Sequence, residues 1–379
     1  MSSTAGVLIY AVVFALVIWR LSRWYVLLRH SATVLKIIGN DKDDFSTIPA
    51  GVVEQSLRYP HPGGTEEPCR KLIPERSQRR TAFIVLHGAS PFGENHPAIN
   101  KLTYALTLIG ITVYIPRLPR LKALHIDDET TKAIAACYRH IVAVDGWGEG
   151  RVSLIGTSFA GGLLLKATGA ESWGTVRPGA IMTFGTYCDL EVALRFVLTG
   201  KAEYGRDRIE TTPDPWGQIA FFHNYLDHFE RPFDKQVVRL ALDHFIAGDE
   251  TEGQRAMAQL PDRERQLLGT MLSPSSSAAL ELAEEIMDHA RPMLESLSPA
   301  SFAGSIRGKV WILHGRQDNS IPYTEALALK AKLGRNAVLN IAGHYGHNPT
   351  EKGPSLWHQV RHAFGMLIFL ARFLKAAEN

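Results

Sequence analysis

Six short apolar runs, each followed by a segment of helical spacing, limit what this chain can fold into. They are "TAFIVL" (81–86), "ITVYIP" (111–116), "RVSLI" (151–155), "GAIMTFG" (179–185), "KVWILHG" (309–315) and "NAVLNIAG" (336–343). The runs show no polar alternation, so both faces of each strand must be covered, and the intervening segments are amphipathic. "PAINKLTYALTLIG" ends on Gly110, a natural helix stop, and "DDETTKAIAACYRHIVAV" opens on acidic residues that suit a helix N-terminus. "FAGGLLLKATG", "YTEALALKAKLG" and a closing stretch from Trp357 to Lys375 read likewise as helices. Apolar strands alternating with such helices predict an α/β fold: a mostly parallel sheet with helices on both faces. "VVEQSLRYP" and "CRKLIP", separated by the turn-rich "HPGGTEEP", predict an opening pair of strands.

The alternation stops between about 190 and 300. "EVALRFVLTG", "GQIAFFHNYLDHF", "FDKQVVRLALDHFIAG" and "SAALELAEEIMDHARPMLESL" all have helical spacing, with no convincing strand among them. The expected organisation is one α/β domain in two parts, 51–189 and 305–379, with a helical cap at 190–304.

"VSLIGTSFAGG" (152–162) runs from a strand into a cluster of small residues around Ser158. Gly156 and Ala160, two positions to either side, leave room for a strained strand-to-helix turn that lifts the hydroxyl clear of the sheet. Acyl transfer also needs a base, an acid to orient it and donors for the developing oxyanion, and open parallel sheets gather such groups at the carboxyl ends of their strands. Asp318 follows the strand in "ILHGRQDNSIP", and "NIAGHYGH" places His344 and His347 after the last strand. His344 is the first candidate base, because it follows the strand sooner and carries the preceding glycine. Asp189, after "IMTFG", is the alternative acid, and Asp318 also has the position to cap the helix near Pro322. The amides of Ala89 and Phe159 are the candidate oxyanion donors, and His87 in "FIVLHGAS" is expected to shape that loop by its own hydrogen bonds.

With Ser158, Asp318 and His344 in that order at three strand ends, the chain resembles the α/β-hydrolase superfamily. The resemblance covers roughly 80–187 and 305–375, and the helical insertion falls where that family carries its cap. One departure is Ala160, where glycine is commonest. The resemblance implies a serine hydrolase of the esterase or lipase kind that requires no cofactor and acts on a carboxylic ester, with thioesters and amides as alternatives. In it Ser158 attacks the carbonyl, His344 moves the proton and Asp318 holds the imidazole. A non-catalytic acyl-binding or scaffold protein that keeps the fold is the rival from another class.

No HExxH or paired His/carboxylate spacing appears, so no metal site is predicted, and His223 and His228 are spaced wrongly for a shared ligand pair. The net charge of +3 gives no electrostatic case for a nucleic-acid partner. Three cysteines without a CxxC pairing argue for a reducing compartment. "GVLIYAVVFALVIW" (6–19) is uncharged, with Arg20, Arg23, Arg29 and Lys36 following it and Trp19, Trp24 and Tyr25 at its margin. This predicts a single-pass membrane anchor over 1–30 and a tether over 31–50, with the catalytic domain on the cytoplasmic side. A helix lying in the membrane interface is the opposing reading. An anchored hydrolase would meet lipid-like esters delivered laterally.

Overall fold

The computed structural model of the chain describes residues 2–40, 45, 47–76, 79–343 and 356–378, with side chains at 14, 16–40 and, beyond 356, from 362 onward. The six apolar runs form β3 (Ala82–Leu86), β4 (Thr112–Pro116), β5 (Val152–Thr157), β6 (Ile181–Phe184), β9 (Val310–Gly315) and β10 (Ala337–Ala342), all mutually parallel. Every residue of β3, β4 and β9 is buried, which is why these strands lack alternation. The opening pair β1 (Val52–Pro60) and β2 (Glu66–Pro74) is antiparallel, with Val52 opposite Pro74, and β2 also runs antiparallel to β4. The result is an eight-stranded, mostly parallel sheet, as the sequence predicts, in the order β1-β2-β4-β3-β5-β6-β9-β10.

Fourteen helices are described: α1 (Ser2–Ile38), α2 (Pro97–Leu108), the one-turn α3 (Pro119–Lys122), α4 (Asp128–Val144), α5 (Phe159–Gly169), seven more between β6 and β9, then α13 (Tyr323–Leu333) and α14 (Leu356–Glu378). One face of the sheet carries α4, α5 and α13, whose Ile134, Leu163 and Leu329 share a single core. The other carries α1, α2 and α14 around Phe83, Val85, Ile99, Phe369 and Phe373.

Between β6 and β9 lie α6 (Leu190–Thr199), α7 (Pro215–Tyr225), α8 (Lys235–Ile246), α9 (Glu250–Gln259), α10 (Asp262–Met271), α11 (Ser277–Leu297) and α12 (Pro299–Phe302). The expectation of no strand here needs one correction. A small hairpin, β7 (Lys201–Tyr204) and β8 (Asp207–Glu210), follows α6. Gly200, at φ 69°, closes α6 in the left-handed conformation, and Gly205, at φ 63°, sits in the hairpin turn. The hairpin is largely solvated, so it carries none of the apolar signal that marks the other strands.

The expected boundary between anchor and tether near residue 30 falls inside α1, which is continuous to Ile38. Its second half belongs to the core: Leu27, Ser31 and Val34 are buried, and the helix packs on α14 and α2. Its first half differs, with Phe14, Leu16, Val17, Ile18, Trp19 and Leu21 all exposed. Among the described residues no helix is long and apolar enough to cross a membrane; much of the uncharged run 6–19 lies outside the side chains described.

Candidate active site

Ser158 stands between β5 and α5 at φ 52° and ψ −134°, a region that residues with a Cβ rarely enter. Three contacts hold it there. Its amide donates to the Phe184 carbonyl at 2.8 Å, its carbonyl accepts from the Gly161 amide at 3.0 Å, and the neighbouring Thr157 hydroxyl donates to the Leu86 carbonyl at 2.9 Å. Small residues make the turn possible. A Cβ at Gly156 would come 2.7 Å from Gly161 Cα, and one at Gly88 would come 2.9 Å from Ser158 Cβ. The Ala160 carbonyl lies close to the Gly156 position as well, at 3.1 Å, so the first turn of α5 as a whole crowds Gly156. Ala160 is fully buried in the first turn of α5, and its methyl packs into the main core. Ser158→Gly is expected to raise the unfolding free energy by about 1 kcal/mol, because glycine relieves the strained φ/ψ at some cost in unfolded-chain entropy. Urea midpoints measure this; a destabilised glycine variant would show that the turn is unstrained.

Phe159 is the first residue of α5, so its amide lies among the unpaired donors of the helix N-terminus. Ala89 lies on the loop after β3, half-buried against the main core. That loop is tied down by His87, which is fully buried. Its Nε2 accepts from the Leu118 amide at 3.1 Å, so Nδ1 carries the proton and donates to the Gly88 carbonyl at 2.8 Å. Burial lowers its pKa to about 4, and both ring nitrogens are engaged. His87 is thus a neutral positioning residue, as its place in "LHG" predicts. Glu94, just downstream, anchors the same loop by accepting from Arg117 Nε at 2.7 Å.

The end of β9 is built the same way. The second "LHG" places His314, also fully buried, with Nε2 2.8 Å from the Ile321 carbonyl and 3.5 Å from Asp318 Oδ2. Burial lowers the pKa of His314, so it is a neutral donor to Ile321. Asp318 Oδ1 accepts from the amides of Ser320 at 2.9 Å and Ile321 at 3.0 Å. Its Oδ2 points towards the end of β6, where a Cβ on Gly185 would lie 3.0 Å away. The Ser158 amide binds Phe184 and the Asp318 carboxylate approaches Gly185, so the two residues flank the same strand end. The sequence reading missed the part played by His314, although the repeat of "LHG" is the signal that could have found it.

Asp189 is occupied differently. Its Oδ1 caps α6 by accepting from Glu191 N at 3.0 Å and Val192 N at 3.3 Å. Its own amide and that of Cys188 donate to the buried Glu325 Oε2 at 2.7 and 2.8 Å. His344 and His347 lie outside the described residues. His223 is buried on α7 with Nε2 2.8 Å from Asp243 Oδ1, a packed face rather than a ligand pair with His228.

Glu325 yields a second test. Burial raises its pKa from 4.5 to about 7, opposed by the two backbone amides. The folded chain keeps this proton up to about pH 7, whereas the unfolded chain releases it near 4.5. The folded state then binds more protons in that window, so this group's contribution to stability falls as pH rises through it and is level above. Glu325→Gln is expected to remove a fall on the order of 3 kcal/mol. Urea titrations at both ends of the window check this, and an identical pH slope in the variant would refute it.

The strand order, the single inverted strand second from one edge and the Ser158 turn decide the architecture. The arrangement resembles the sheet and nucleophile turn of the α/β hydrolases. Solved structures similar to this chain include lipase A of Candida antarctica, at 15% identity over 83% of this chain and 78% of that one, TM-score 0.48. An esterase of Pyrococcus furiosus is 10% identical over 86% of this chain and 92% of that one, TM-score 0.45. Puromycin hydrolase is 12% identical over 86% of this chain, TM-score 0.47. The chain spans only 40% of puromycin hydrolase and 41% of an acylaminoacyl peptidase. No family model matches the sequence, and no curated protein matches it.

Proposed function

We propose that this chain is a serine hydrolase that cleaves a carboxylic ester through an acyl-enzyme, with Ser158 as nucleophile, His344 as base and Asp318 as the acid that orients it. The observation that carries this reading is the strained Ser158 turn, with Asp318 delivered to the adjoining strand end. A φ of 52° with ψ −134° at a strand-to-helix junction suits a nucleophile lifted clear of a sheet. The amides of Ala89 and Phe159 stabilise the oxyanion, and no cofactor enters the cycle. Asp318 suits the acid role better than Asp189, because Asp318 Oδ2 is left facing the site while Asp189 caps a helix.

The exposed rings of Phe92, on the loop after β3, and Phe184, the last residue of β6, favour an apolar acyl group at the mouth. The helices of 190–304 act as the cap that sets its length. Attachment to a membrane through α1, with the basic flank and hence the catalytic domain on the cytoplasmic side, completes the proposal. Fluorophosphonate labelling of the purified chain, followed by acyl esters graded in length, tests it. Saturable labelling with turnover of at least one ester is expected. Absence of both leaves the acyl-binding alternative.

A further inference from the structure

The exposed half of α1 and the Ser158 site lie at opposite poles of the domain. The parallel strands end at Thr157, Phe184 and Gly315 on the site's side and begin at Ala82, Val152 and Val310 on the other. At that second edge the end of α14 is fastened: Thr81 donates to the Ala377 carbonyl at 3.0 Å and Arg151 to the Glu378 carbonyl at 3.1 Å. Arg23 of α1 pairs with the Glu378 carboxylate at 3.4 Å, and His30 contacts Arg79, which precedes β3. Further along, Asn40 accepts from Lys101 Nζ at 2.9 Å, near the start of α2, which descends from the site's side. From Arg23 towards Asn40 the chain therefore climbs from the amino edge of the sheet to its carboxyl edge. Residues 2–22, about 30 Å of helix, leave from the amino edge. The strands themselves separate that edge from Ser158 by about 20 Å.

What the stem meets can be read from its surface. Leu16, Val17, Ile18 and Trp19 are consecutive and all exposed, so apolar groups surround the helix. A protein groove covers one side of such a helix; hydrocarbon covers all of it. Trp19 and Tyr25 lie at its base with the exposed Arg20 and Arg29, and the adjoining edge exposes Arg80, Arg307 and Lys309 against Glu75 and Glu149. That pairing of aromatic and cationic groups suits an anionic lipid surface.

We infer that α1 inserts into an anionic bilayer at the amino edge of the sheet and holds the catalytic mouth facing away from that bilayer, so that the substrate is an ester arriving from water. The substrate part rests on the hydrolase reading above. It replaces the expectation of lipid-like esters delivered laterally, because a site on the far side of the domain cannot reach the leaflet that holds its own stem. Tethering accelerates a reaction only when geometry allows both engagements at once.

The test uses the full chain and vesicles of phosphatidylcholine and phosphatidylglycerol. The chain is expected to float with them, and Leu16→Glu with Trp19→Glu to release it without loss of activity on a short water-soluble ester. A long-chain ester is then placed either in the enzyme-bearing vesicles or in separate ones at equal total concentration. Rates within about twofold of each other are expected; a preference of roughly a hundredfold for the enzyme's own vesicles would overturn the inference, since that is what an effective concentration at a facing site produces. Failure to float, including as a soluble dimer, would also overturn it. Loss of soluble-ester turnover and of fluorophosphonate labelling in the full chain sinks the hydrolase reading instead, whatever the vesicles show.

Discussion

Replacing Ser158 by alanine is expected to lower kcat by about a millionfold and to abolish fluorophosphonate labelling, leaving weak turnover from the oxyanion donors alone. The size follows from the covalent step: without the hydroxyl no acyl-enzyme forms, and the base has no proton to take. Stability separates this loss from misfolding. Alanine at 158 meets the same restriction at φ 52°, and the backbone bonds to Phe184 and Gly161 do not involve the hydroxyl. The urea midpoint should therefore stay within about 0.5 kcal/mol of the parent. Burst kinetics with a chromogenic ester read the first quantity. A variant that keeps a tenth of the parent activity is incompatible with Ser158 as nucleophile.

Asp318→Asn is expected to cost about ten-thousandfold in kcat, because an amide stabilises the wrong tautomer of the base while leaving its packing intact. The loop should survive the change, since the asparagine oxygen can still accept from Ser320 and Ile321. Asp189→Asn should leave kcat nearly unchanged, as asparagine caps a helix as well as aspartate does. His344→Ala should match the loss at Ser158, with His347→Ala milder. Steady-state kinetics on the four variants rank them. A larger loss at Asp189 than at Asp318, or at His347 than at His344, reassigns that member of the triad.

The alternation of apolar runs with amphipathic segments was enough to determine the sheet, its parallel sense and the place of Ser158 and Asp318 at strand ends. Burial on both faces leaves a local mark, a strand without polar positions, and a nucleophile turn leaves another, a serine among small residues. Ser158 and Asp318 could be found along the chain because each follows a different apolar strand.

Other features have no local mark. Gly156 meets Gly161 and the Ala160 carbonyl because α5 folds back across the end of β5, a proximity that spacing along the chain does not show. The role of His314 depends on Ile321 and Asp318, which only the loop after β9 brings against its ring. Glu325 sits in an ordinary amphipathic helix, and only the packing of α13 against the amides of Cys188 and Asp189 buries its carboxyl. The hairpin of 201–210 was hidden because solvated strands need turn geometry rather than hydrophobicity. The sequence of α1 determined an apolar, basic-flanked helix. Which pole of the domain it leaves from depended on contacts with Glu378 and Arg79, residues distant in the chain, and only the tertiary structure brings those to the edge opposite Ser158.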